Sequence, residues 1–216
     1  YTNPLKAVEF FRKTGCDALA ISYGTMHGAS KGKGVKLRKE IAIAIKECMM
    51  HENLFGVLVS HGSSTVPGYI VEEINALGGN IQNAHGISIE ELKAAIPCGI
   101  GKINVDTDIR LAVTRNMKEY FAQHPEKRNS PSIGGVYQLL EEKREQFDPR
   151  AFLPPIMDTV MYGMVPDKDR AELVEVIEKG VKEAIGTLIV EFGSYGKAPL
   201  VEQVSLEEMA ERYKRM

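Results

Sequence analysis

Two histidines stand where a strand hands over to a loop, each followed by glycine: Tyr23-Gly24-Thr25-Met26-His27-Gly28 and Ser60-His61-Gly62-Ser63-Ser64. Neutral imidazole suits zinc, and a catalytic zinc takes three protein ligands plus water or substrate. His27 and His61 therefore make a candidate metal pair that is one ligand short. Taken singly, either histidine also suits an ordinary structural or solvent-facing loop. The small residues after each histidine suit an anion. Glycine lets the backbone approach closely, and N–H and hydroxyl donors converge on a phosphate, which points to Gly28, Gly62, Ser63, Ser64 and Thr107. Tight βα turns account for the same glycines and serines with no ligand at all. Lys31 adds a cation beside such a phosphate, although Lys31-Gly32-Lys33-Gly34 also reads as a solvated loop. A third polar cluster is Asn104-Val105-Asp106-Thr107-Asp108. Asn104 can bond a substrate oxygen, and Asp106 can accept from a substrate hydroxyl or place negative charge near a metal. Asp106 or Thr107 also suits the cap of the next helix. His51, His85 and His124 fall at helix ends or connections and read as surface residues, His85 lying nearest a strand.

Each cluster needs a strand to carry it. Residues 16–22, 55–60 and 101–105 are short, largely apolar runs of that kind. The uninterrupted run Phe55-Gly56-Val57-Leu58-Val59 predicts a strand covered on both faces, as in a parallel sheet flanked by helices. Between these runs the spacing is helical. Asn3-Pro4 opens a helix that Gly15 closes. Leu37, Ile41, Ile45 and Cys48 share a face over residues 35–51, Pro67 introduces a helix ended by Gly78-Gly79, and Ser88 and Glu91 have capping-box spacing. Ile109, Val113 and Met117 mark a helix after the third strand. Three βα units in succession make half a barrel or part of a doubly wound sheet. Parallel strands put all three loops at one end, so His27, His61 and the Asp106 region should converge.

Beyond residue 124 the pattern is helical without strands. A polar, proline-containing linker at residues 125–131 leads to helices over 135–147, 151–163 and 167–192 and to a last helix capped by Ser205. The expected division is residues 1–124 as three βα units and residues 125–216 as a helical arm that makes oligomer contacts. The formal net charge of −2 offers no reason to expect nucleic acid or an anionic membrane as partner. Cys16, Cys48 and Cys98 lie far apart and are odd in number, which suits a reducing cytoplasm. No apolar run approaches the roughly 20 residues of a membrane span, and Tyr1-Thr2-Asn3-Pro4 does not read as a signal peptide.

The motifs Gly24-Thr25-Met26-His27-Gly28, Ser60-His61-Gly62-Ser63-Ser64-Thr65-Val66-Pro67 and Lys102-Ile103-Asn104-Val105-Asp106-Thr107-Asp108-Ile109-Arg110 together resemble the class II fructose-bisphosphate aldolases. Asp148-Pro149-Arg150 and Met209-Ala210-Glu211-Arg212-Tyr213 also resemble that family, in particular its longer, Calvin-cycle-type branch. The resemblance implies a (β/α)₈ TIM barrel, of which this chain supplies the second half plus the C-terminal arm. It implies a zinc held by His27 and His61. Gly28, Gly62, Ser64 and Thr107 are then groups on the phosphate of dihydroxyacetone phosphate, with Lys31 beside them. Asn104 and Asp106 contact the substrate hydroxyls and the enediolate, and Arg150 reaches the far phosphate across a subunit interface. A monovalent cation, sodium or potassium, orders the phosphate loop in such enzymes. The implied reaction is reversible cleavage of fructose 1,6-bisphosphate; tagatose bisphosphate, or a non-catalytic assembly role, fits the same motifs. The family's Asp-His pair, with the proton-transferring aspartate and the third zinc histidine, has no match here. That predicts an N-terminal half of the barrel as partner, and a homo-oligomer, dimer or tetramer.

Overall fold

The computed structural model describes residues 1–26 and 34–214. Helix α1 (Pro4–Thr14) starts as its sequence demands: the Asn3 side chain accepts from the Lys6 N–H, and Gly15 closes the helix with its N–H on the Phe11 carbonyl. Strand β1 (Ala18–Ile21) comes next, then α2 (Lys39–His51), β2 (Val57–Ser60), α3 (Gly68–Ala76), α4 (Ile89–Ala95), β3 (Ile100–Ile103) and α5 (Thr107–Gln123). Helix α2 begins four residues later than its apolar spacing predicts, because tertiary partners claim the preceding backbone. The Leu37 N–H donates to the Glu91 carboxylate at 3.0 Å and the Arg38 N–H to the Tyr23 carbonyl at 2.7 Å. Ser88 caps α4 by accepting from the Glu91 N–H, but the Glu91 carboxylate reaches Leu37 and Lys39, so only half of the capping box forms.

The three strands are parallel in the order β1-β2-β3, with Leu19 opposite Leu58 and Ile21 opposite Ser60. One face of this α/β sheet is covered: Leu58 and Ile100 pack with Phe11, Ile45, Met49 and Leu92 from α1, α2 and α4. The other face is open. Ala18, Ala20 and Gly101 are exposed, Val57 retains 41 % of its surface and Phe55, just before β2, retains 92 %. A strand covered on both faces was expected from the apolar run; the described residues supply a single helical layer, on the Leu58 side, while on the other face Val59 is buried and Val57 exposed.

Residues 125–130 are tied down and do not form a free linker. Pro125–Asn129 is a 3₁₀ turn, and Lys127 sits between Asp169 and Glu172 at 2.5 and 3.1 Å. Helix α6 (Gly134–Glu142) is shorter than its periodicity suggests, and residues 149–156 form two 3₁₀ turns before α7 (Met157–Tyr162). Pro149, Pro154 and Pro155 lack the N–H groups that a continuous helix would need. Helix α8 (Lys168–Glu191) is capped by Asp167, and α9 (Leu206–Lys214) by Ser205. Helix α5 joins the two parts of the chain. Val113, Met117 and Phe121 pack with Val136, Phe152 and Leu173, while Leu111 and Ala112 pack with Ile70 and Ile74. Where α8 crosses α5, a Cβ on Gly180 would lie 2.9 Å from the Ala112 carbonyl oxygen, so only glycine permits this approach.

Candidate active site at the carboxyl end of the sheet

Pairing between β2 and β3 continues past the strands. The Asn104 N–H donates to the Ser60 carbonyl at 2.8 Å and the Ser63 N–H to the Asn104 carbonyl at 3.3 Å. This backbone lattice delivers the Asn104 amide to His61, with Nδ2 3.0 Å from Nδ1. This contact holds the imidazole ring in one orientation on the exposed rim of the sheet. His61 and Asn104 are thus brought together as parallel topology predicts. His27, Gly28 and Lys31 lie outside the described residues.

The two strand-end loops are laced reciprocally. The Ser64 hydroxyl oxygen accepts from the Thr107 N–H at 3.0 Å and the Asp106 N–H at 3.3 Å, capping α5 from a neighbouring loop. In return the buried Asp108 carboxylate, on the first turn of α5, accepts from the Thr65 N–H at 2.9 Å and the Val66 N–H at 2.5 Å. The expectation that Asp106 or Thr107 caps α5 is corrected here. Asp106 occupies the cap position, yet its side chain makes no cap bond. Its carboxylate is turned to the Arg110 guanidinium, at 2.8 and 2.7 Å, where two charged bonds outweigh one cap bond. The loop makes two uncommon backbone turns, Gly62 at φ +70° and Val66 at φ +51°. Gly86 presses against its far side, and a Cβ there would lie 2.1 Å from the Thr65 carbonyl oxygen.

Thr107 is buried at the start of α5, and the Ser63 hydroxyl is turned inward, 2.6 Å from the Ser60 hydroxyl. Arg150, in the helical segment, reaches the same end of the sheet through a chain of charges. It holds Asp148 at 2.5 Å, Asp148 also pairs with Arg110, and Arg110 holds Asp106. The Arg150 hydrogen bond first, then the charges of Arg110 and Arg150, hold the Asp148 carboxyl below the usual carboxylate range. His124 is exposed and packs at a tilt against the Tyr120 ring beside Glu126, and His51 is exposed. A cleft of about 600 Å³ between α5 and α8 is lined by Thr65, Ser88, Asp108, Arg115 and Glu183, but not by His61, Asn104 or Asp106. Among the described residues no group of three or more His, Cys, Asp or Glu side chains is placed to hold a metal. His61 is the described member of the expected pair: an imidazole on the exposed rim whose ring is held by Asn104. All three cysteines are free, and no described helix is long and apolar enough to cross a membrane.

Residue patterning alone placed Asp108 at the strand end without a role and missed Gly86 and Arg110. Asp108 reads as one of several acids in a first helical turn, and the lone Gly86 carries no periodic signal; only the loop packed against each reveals its part.

Parallel βα units that gather a histidine, a glycine-serine loop and an Asn-Val-Asp-Thr-Asp turn at one sheet end define an α/β protein with a candidate site at its strand ends. The chain belongs to the class-II fructose-bisphosphate aldolase family, whose model matches residues 1–197. A fructose-bisphosphate aldolase of Giardia intestinalis is 36% identical over 214 residues, covering 99% of this chain and 53% of its own length. That of Xanthobacter flavus is 33% identical, over 98% of this chain and 49% of its own. Among solved structures, the YdjI aldolase of Escherichia coli K12 aligns with a TM-score of 0.53 and 25% identity, over 92% of this chain and 48% of that one. The chain therefore spans about half the length of these relatives.

Proposed function

We propose that this chain is the second half of a (β/α)₈ barrel, with residues 125–216 as its helical arm, in a zinc-dependent enzyme that cleaves fructose 1,6-bisphosphate reversibly to dihydroxyacetone phosphate and glyceraldehyde 3-phosphate. The observation that carries the reading is the lacing of the β2 and β3 loops beside the His61–Asn104 contact. It gathers residues from two motifs, far apart in sequence, at one end of one parallel sheet. The open sheet face at Ala18, Ala20 and Val57 is the face that the remaining strands of a barrel would enclose.

In this reading His27 and His61 hold zinc, with a third histidine from the N-terminal half. A zinc ion there would supply a Lewis acid to the substrate carbonyl. Asn104 sets the His61 ring and, with Asp106, addresses the substrate hydroxyls; Arg110 fixes the direction of the Asp106 carboxylate. Gly28, Lys31, Gly62, Ser64 and Thr107 surround one phosphate, with Ser63 beneath the loop and its hydroxyl on Ser60, aided by sodium or potassium, and Arg150 serves the other phosphate across the interface of a dimer or tetramer. Anchoring by phosphate turns binding energy into orientation at the reacting carbon. The proton-transferring aspartate belongs to the N-terminal half, and the cytoplasm supplies the phosphorylated ketose.

His61→Ala in the complete enzyme tests this. Zinc content, measured by elemental mass spectrometry, and cleavage of fructose 1,6-bisphosphate should fall together. Full turnover by the zinc-free variant would refute the assignment, and faster turnover on tagatose 1,6-bisphosphate would change the sugar.

A further inference from the structure

Under the β2 loop, on the helix-covered side of the sheet, three hydroxyls stand in a row. The Tyr23 hydroxyl lies 2.5 Å from the Ser60 Oγ, which lies 2.6 Å from the Ser63 Oγ. All three residues are fully buried. The register explains the row. Ile21 pairs with Ser60, and Tyr23, two positions on, returns to the same face and lays its ring over the β2 end. A phenol is a stronger acid than an aliphatic alcohol, so Tyr23 is the natural donor and Ser60 the acceptor. Burial, first among the causes, pushes the Tyr23 phenol above its ordinary value, so it keeps the proton it donates. Ser60 can then donate to Ser63. Such a row in dry surroundings reinforces itself link by link.

Packing alone does not ask for these hydroxyls. Apolar side chains of similar shape would fill the space with nothing to desolvate. What the row adds is a fixed distance between the β1 loop, which leads to His27, and the loop that carries His61, Gly62 and Ser64. We propose that Tyr23 is a positioning residue for the phosphate-binding loop: acting through Ser60, its hydroxyl sets the place of Ser63 and so the spacing between His61 and Ser64. This rests on the aldolase reading of the site and adds a residue to it.

The test uses the complete protein with Tyr23→Phe, Ser60→Ala and the double variant. Tyr23→Phe keeps the ring and the Ser60–Ser63 bond. Its dissociation constant for dihydroxyacetone phosphate should rise about five- to tenfold, the worth of one net hydrogen bond, while zinc content stays at the wild-type level. Amide exchange at residues 62–64 should quicken. Ser60→Ala strands two buried hydroxyls, of Tyr23 and Ser63, and should lower the melting temperature most. The double variant leaves only Ser63 stranded, so it should regain part of the melting temperature yet keep the weakened affinity. A purely structural role predicts that affinity returns with stability. Tyr23→Phe binding as tightly as wild type, or affinity recovered in the double variant, would overturn the proposal alone. Wild-type protein that binds no dihydroxyacetone phosphate would overturn the aldolase reading, and this proposal with it.

Discussion

Asp108→Asn changes one oxygen to nitrogen at the point where α5 grips the β2 loop. In the native site the carboxylate is 3% exposed and accepts from two backbone N–H groups, of Thr65 at 2.9 Å and Val66 at 2.5 Å. Bonds to a charged acceptor each contribute about 1.5–3 kcal/mol net. Asparagine retains one acceptor oxygen and turns its NH₂ toward the other N–H, donor against donor. About one such bond is lost and one buried N–H is left unpaired, so the unfolding free energy should fall by about 2–4 kcal/mol. Urea unfolding of the complete protein measures this, and amide proton shifts of Thr65 and Val66 report the clamp directly. Glu178→Gln is the control. Its ion pair with Lys182 is exposed on both sides, and its loss should change stability by less than about 0.5 kcal/mol. If Asp108→Asn also falls within about 0.5 kcal/mol, with both amide shifts unmoved, the claim that the two loops form one structure is wrong.

Gly86→Ala presses on the same loop from the opposite side. Its Cβ would meet the Thr65 and Ser64 carbonyl oxygens at 2.1 and 2.5 Å, and backbone cannot swing away as a side chain can. A loss of at least about 1–3 kcal/mol is expected, together with, on the proposed aldolase function, weaker binding of dihydroxyacetone phosphate; a variant as stable as wild type would show that the loop is loose. Acid should act through Asp148. Its folded pKa is depressed by Arg150 and Arg110, so its contribution is fully present above the ordinary carboxylate value of about 4 and is lost as pH falls through the lower folded value. Asp148→Asn should therefore flatten the acid limb of a stability–pH curve, and an unchanged limb would contradict the charge chain from Arg150 to Asp106.

What the sequence determined by itself is local or periodic. The Asn3, Ser88, Asp167 and Ser205 caps are each satisfied by a backbone N–H three residues on, well inside the reach of pattern reading. The three βα units and the convergence of His61 with Asn104 follow from period and from parallel topology. Tertiary structure decided the rest. The cap of α5 comes from Ser64, 43 residues before the amide it accepts from, and it freed Asp106 for Arg110. The start of α2 was set by Glu91 and Tyr23, partners on other elements. That a single helical layer covers β2 depends on how many elements pack against it, which an apolar run cannot count. Side chains of one type, an acid in a first turn or a glycine in a loop, read alike until the neighbouring loop arrives. The physical reason is range. Caps and periodicities span a turn or two of chain, whereas clamps such as Asp108 exist only once parallel register has brought distant backbone within hydrogen-bond distance.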